Sequence, residues 1–269
     1  MSNTRDTERG RSAVYAGAMV MALNLVCASA DASNETGGSA VNVGISTTQA
    51  AASLDMRQQA IVPVAAFAAA GNMSGLNAAL EHGLDAGLTI SDAREILVQL
   101  YAYAGFPRSL NALGELMKVL HARKQHGIRD VPGREPSRTI PKGDALLAAG
   151  KANQTQLSGA PVEGALFEFA PVANEYLRSH LFGDIFERDN LDWSSRELAT
   201  VGMLSALSGT EPQLQAHLRI SMNIGLTAGQ LQQLTEVLEE RVDAETARRA
   251  REALARHLAT QPSSKHDTV

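Results

Sequence analysis

Apolar residues recur every three to four positions through two long stretches of the chain, roughly 54–124 and 191–259. That spacing lines one face of a helix and predicts packed helices rather than strands, because strands alternate with period two. In the first stretch it marks helices over about 56–70, 73–86 and 90–104, followed by 109–124. In the second it marks 194–207, 212–224, 228–241 and 244–259, with Leu214, Leu218 and Met222 on one face and Leu231, Leu234 and Leu238 on another. A shift of 138 residues lays Gly87-Leu88-Thr89 on Gly225-Leu226-Thr227, Leu80 on Leu218 and Leu120 on Leu258. Glycine suits a helix C′ position and threonine an N-cap, so the match falls where one helix should end and the next begin. The pattern predicts an all-α fold of two tandem helical units packed as a pseudo-dimer.

The regular pattern is interrupted at 126–143, where three prolines and three glycines exclude a long helix. A short helix is expected at 144–153 and an amphipathic one at 171–182. The resulting division is 1–30 as a signal peptide, 31–50 as a lead-in and 51–124 as the first unit. It continues with 125–165 as a linker containing a short helix, 166–260 as the second unit and 261–269 as a tail. Within the first unit, Gly105-Phe106-Pro107 breaks a helical pattern, since proline lacks the N–H donor and crowds the preceding turn. The second unit reads Arg241-Val242-Asp243-Ala244-Glu245 there and lacks that motif.

Composition adds little to the fold and more to the function. Hydrophobic residues make up 44% of the 269 residues and aromatics only 4%, which favours Ala- and Leu-rich helices. The net charge of −5 offers no surplus of cations for phosphates, so nucleic acid is not an expected partner. Arg248, Arg249 and Arg251 cluster, but Glu245 and Glu252 flank them at helical spacing and predict a solvated, ion-paired face. At the N-terminus Arg5, Arg9 and Arg11 precede an apolar stretch from Ala13 to Val26, then Ala28-Ser29-Ala30. This is the layout of a signal peptide cleaved after Ala30, and it predicts a periplasmic or secreted protein without stable membrane insertion. Cys27 is the single cysteine, and Val26 before it disfavours lipid attachment. Cleavage after Ala30 leaves no thiol, hence no disulfide, thiolate nucleophile or thiolate metal site.

Three segments carry a family likeness. LDWSSRELAT at 191–200, HLRISMNIGLT at 217–227 and YAGFPRSLNAL at 103–113 together resemble the carboxymuconolactone decarboxylase family, which includes the alkylhydroperoxidase D-like proteins. The resemblance implies an all-helical fold and assembly into homo-oligomers, trimers or hexamers. The thiol peroxidases of that superfamily look like Glu, then Cys-x-x-Cys, then His. Glu197 and His217 match the Glu and His, but Gly209 and Pro212 stand where the cysteines belong. Thiol peroxidase chemistry is therefore not expected. The decarboxylase branch needs no cysteine. It requires cations to hold carboxylates and an acid to protonate the developing enolate. Glu197 and His217 are the candidate catalytic pair, and Arg196, Tyr103, Arg108 and Asn111 the candidate substrate-binding residues. The expected ligand is a small anionic or lactone-type molecule, with no metal and no cofactor.

Each candidate also has a structural reading. Ser194 or Ser195 can cap a helix with Glu197 closing a capping box, Tyr103 can be plain core, and Arg108 can face solvent. His82, His121, His126 and His180 have no partners at metal spacing and read as surface or interface residues. At the 138 shift Gln58-Gln59 replace Arg196-Glu197, and Ala79 replaces His217. One composite site is therefore expected, combining Glu and His of the second unit with Tyr and Arg of the first. The alternative to an enzyme is a non-catalytic small-molecule binding or assembly module.

Overall fold

The computed structural model describes residues 53–260; the expected signal peptide, Cys27, the lead-in and the tail lie outside them. Every regular element among the described residues is helical. At the centre, α1 (Met56–Ala70) packs along α8 (Trp193–Ala206). Both are buried nearly all round: Ala60–Ala66 in α1 and Ser195–Ser205 in α8 are unbroken buried runs. Such helices lack a polar face, so their stability comes from packing rather than propensity, and α1 even holds Pro63 in its interior. Gly202 sets the distance between them. A Cβ there would stand 2.9 Å from the Val62 carbonyl oxygen and 3.3 Å from Ala65 Cβ.

The other core helices flank this pair. In the first half they are α2 (Met73–Asp85), α3 (Ile90–Gln99) and α4 (Tyr101–Gln125). In the second they are α9 (Glu211–Asn223), α10 (Ala228–Arg241) and α11 (Ala244–Ala259). A shift of 138 residues carries α2 onto α9 at both ends and the start of α3 onto that of α10. Thr89 and Thr227 each close a capping box, with Asp92 and Gln230. The preceding Gly87 and Gly225 both have positive φ, 99° and 107°.

The break in the first half is real but compact. Helix α4 continues from α3 with little pause and kinks at Gly105, whose φ of 79° and ψ of 161° are non-helical. The second half also breaks here. Asp243, which the shift aligns with Gly105, is the N-cap of α11 and accepts from Thr246 N at 2.7 Å. The second half lacks the motif but not the discontinuity.

Residues 128–141 form no regular element but are pinned to α3: Ile90 N donates to Val131 O and Ser91 N to Pro132 O, at 2.9 and 3.0 Å. Then come α5 (Asp144–Ser158), α6 (Ala165–Phe169), α7 (Pro171–Tyr176) and a π-helix, Leu177–Ile185. Helix α5 runs five residues past its expected end, and the helix expected over 171–182 widens to π geometry after Tyr176. Gly150 lets α5 lie on the π-helix, since a Cβ there would fall 1.9 Å from the Arg178 carbonyl oxygen. This layer closes a small second core of Leu157, Leu181, Phe182, Ile185 and Phe186 over Ile220 of α9. The basic cluster of α11 is ion-paired as expected, with Arg248 bridging Glu245 and Glu252 at 2.7 and 2.6 Å.

Candidate active site

Helix α8 begins differently from either serine-capped reading. Asp192 is the N-cap and accepts from Ser195 N and Ser195 Oγ, both at 2.8 Å. Glu197 is thus released from any capping box. It lies one and a half turns into a helix buried on all sides, and its side chain is 0% exposed. Helix α9 crosses beside it and presents His217, whose Nδ1 lies 2.8 Å from Glu197 Oε2. Glu197 Oε1 is buried without a hydrogen-bond partner. A carboxylate with one oxygen on an imidazole and the other unsatisfied is costly inside a protein, and such arrangements concentrate at functional sites.

Tyr103 comes to the pair from the first half. It stands two residues before the Gly105 kink, and its ring meets His217 edge-on with centroids 5.6 Å apart and planes at 77°. Its Oη lies 3.2 Å from Thr200 Oγ1, which in turn accepts from Gln99 Nε2 at 2.7 Å. Burial and the negative charge of Glu197 push the Tyr103 phenol well above its ordinary range, so it stays protonated.

The remaining candidates lie elsewhere. Arg196 is fully buried and is held by Glu95 Oε2 at 3.1 Å and the Arg188 carbonyl at 3.1 Å. Burial pushes its pKa down, against the pull of Glu95. At 0% exposure it is a strut in the core rather than an open anion clamp. Arg108 donates to the Ala69 carbonyl at the end of α1, so it caps that helix instead of facing Glu197. Asn111 is exposed on α4. The structure therefore brings Glu197, His217 and Tyr103 together and places the two arginines and Asn111 elsewhere.

Glu95 was absent from the candidates, yet it organises the polar layer behind the site. Arg188 binds it through two nitrogens at 2.8 and 2.6 Å, and Arg196 from the other side. Burial would raise the Glu95 carboxyl, but the hydrogen bond from Arg188 and the charge of Arg196 hold it down to about 2. Its signal was present in the sequence. Asp92, Glu95 and Gln99 recur at helical spacing on α3, and all three are buried. No group of three or more His, Cys, Asp or Glu is placed to hold a metal ion among the described residues.

The fold is a helical bundle whose buried Glu–His pair lies on its second half. Residues 171–256 match the sequence model of the Carboxymuconolactone decarboxylase family, a span that includes α8, α9 and both members of the pair. Over this span the chain is similar to that family; the motifs at 191–200 and 217–227 fall inside it, and that at 103–113 falls outside. No curated protein matches the chain.

Proposed function

We propose that the chain is a carboxymuconolactone decarboxylase-like enzyme acting on a small anionic or lactone-type substrate by cysteine-independent acid–base chemistry at Glu197 and His217. The observation that carries this reading is the buried Glu197–His217 contact, with Glu197 Oε1 left unsatisfied and the Tyr103 ring against the imidazole. Glu197 orients the imidazole through Nδ1, which leaves Nε2 to deliver a proton. In a decarboxylation the electron pair of the broken C–C bond enters an enolate as carbon dioxide leaves. His217 then protonates the enolate carbon and is restored from solvent. Tyr103, held protonated, supplies a neutral hydrogen-bond donor at the wall of the site.

Thiol-based hydroperoxide reduction is disfavoured, because Gly209 and Pro212 occupy the loop and helix start where the thiols would stand. The pairing of helices under the 138 shift supports a duplicated unit in which only the second copy kept the acid–base pair. Export through residues 1–30 and assembly into a homo-oligomer belong to the same proposal.

The test is a panel of lactone acids and hydroperoxides offered to the full chain. Turnover of a lactone acid should fall about 100-fold or more in His217→Ala and in Glu197→Gln, the range a positioned general acid supplies, while Cys27→Ser matches the parent. Undiminished turnover in His217→Ala would remove the proposed acid. Peroxidase turnover that disappears with Cys27→Ser would restore the thiol mechanism.

A further inference from the structure

The first half carries a cavity of about 430 Å³ where the second half carries its Glu–His pair. Pro63 and Phe67 of α1, Gly75, Ala78, Ala79 and His82 of α2, and Arg241 at the end of α10 line it. The 138 shift makes the correspondence explicit: Ala79 stands for His217, and Arg241 for Tyr103. Replacing an imidazole by a methyl group opens space, and replacing a phenol by a guanidinium puts a cation at its edge. The floor is apolar. The Phe67 ring lies so close on Gly75 that a Cβ there would stand 2.6 Å from Phe67 Cδ1, so the ring and the bare backbone form one flat surface.

Two further features set this cavity apart. The layer of α5 and the π-helix covers the His217 side, where Ile220 joins the second core. The shift aligns Ile220 with His82, which is exposed, as is Ala78, so the cavity opens outward. Arg241 makes no ion pair with a carboxylate among the described residues. Its hydrogen-bond partner is His82 Nε2, at 3.2 Å. Of the neighbouring carboxylates, Glu239 is engaged by Arg251 and Asp243 by the α11 N-terminus, while the exposed Glu81 and Glu240, next to His82 and Arg241 in sequence, form no ion pair with Arg241. A guanidinium beside an imidazole, over an apolar floor and in a volume of small-molecule size, is a recognition pattern for an anion with an apolar body.

We infer that this cavity is a second, non-catalytic binding site for a small carboxylate with a compact apolar body, recognised by Arg241 and His82 over the Phe67 ring. The carboxylate is held by the Arg241 guanidinium beside the His82 imidazole, and the ring or branched chain of the ligand lies on Phe67, Pro63 and Ala79. The site is independent of the Glu197–His217 reading.

Calorimetric titration of the full chain with benzoate, and with benzamide as its neutral counterpart, tests this. Benzoate should bind the parent and His217→Ala alike, and benzamide at least tenfold more weakly. Arg241→Gln should weaken benzoate at least tenfold, Arg241→Lys less, and Ala78→Phe should abolish binding by filling the mouth. Both positions are at the surface, so unchanged melting temperatures are expected and are measured alongside. No benzoate binding by the parent at millimolar concentration overturns the inference. So does binding that stays within threefold of the parent in Arg241→Gln or Ala78→Phe, and so does loss in His217→Ala, which places the ligand at the other site.

Discussion

At the scale of single residues, neighbours on one helix turn have opposite roles. Arg196 and Glu197 are adjacent in sequence and both 0% exposed. Arg196 is neutralised by Glu95 and serves the core, whereas Glu197 has only His217 on one oxygen and nothing on the other. The difference is one of supply, since α3 brings Glu95 to the first and no donor reaches Oε1 of the second. Removing Glu95 should therefore expose the structural role of its network. Glu95→Gln leaves Arg196 as a buried charge without its partner, and a loss of about 3–5 kcal/mol at neutral pH is expected from denaturant unfolding. The pH dependence has a definite sign. The folded carboxyl is depressed from 4.5 to about 2, so its stabilisation is present above about 4.5 and is lost as the pH falls towards 2. The parent should lose stability through that window, and Glu95→Gln should show a flatter acid limb.

At the scale of elements, two glycines and a cap decide how helices meet. Gly105 adopts φ 79° and ψ 161°, a region that side chains avoid, although a Cβ would meet only Pro107 Cδ at 3.6 Å. Gly105→Ala should therefore cost about 1–3 kcal/mol through backbone strain alone. It should also perturb the Tyr103–His217 contact, detectable as a change in the His217 ring resonances. Asp243 achieves the same break with an ordinary extended backbone and a side-chain cap, without the glycine–proline motif. Gly150 is constrained by space instead. With the Arg178 carbonyl in the way, Gly150→Ala should lift α5 from the π-helix. Limited proteolysis should then cut between residues 126 and 190 at enzyme concentrations the parent resists.

At the scale of the whole molecule, Phe106, Leu110 and Met117 stand 61%, 62% and 72% exposed along one face of α4. Positions four and seven apart form a continuous stripe, and exposed apolar stripes mark association surfaces. The proposed homo-oligomer should use it. Light scattering should give a multiple of the chain mass for the parent and one chain mass for a Leu110→Glu, Met117→Glu double variant. A monomeric parent would remove the proposal. The helix order and most helix ends were legible in the sequence, because spacing, caps and glycines act within a few residues of each other. Glu197 and His217 were legible as a pair through their motif, and their contact is observed. The fates of Arg196 and Arg108 were not, because a guanidinium can reach several partners and only packing selects one. Nor was the cavity beside Arg241, since Ala79 looks like a mere loss until α1, α2 and the end of α10 enclose the space it leaves. The sequence by itself determined an all-helical chain, helix ends that match under a 138-residue shift, and the Glu197–His217 pairing. Tertiary structure alone decided which charges neutralise each other and where a void remains, because those depend on which helices approach across about a hundred residues of chain rather than on spacing along one of them.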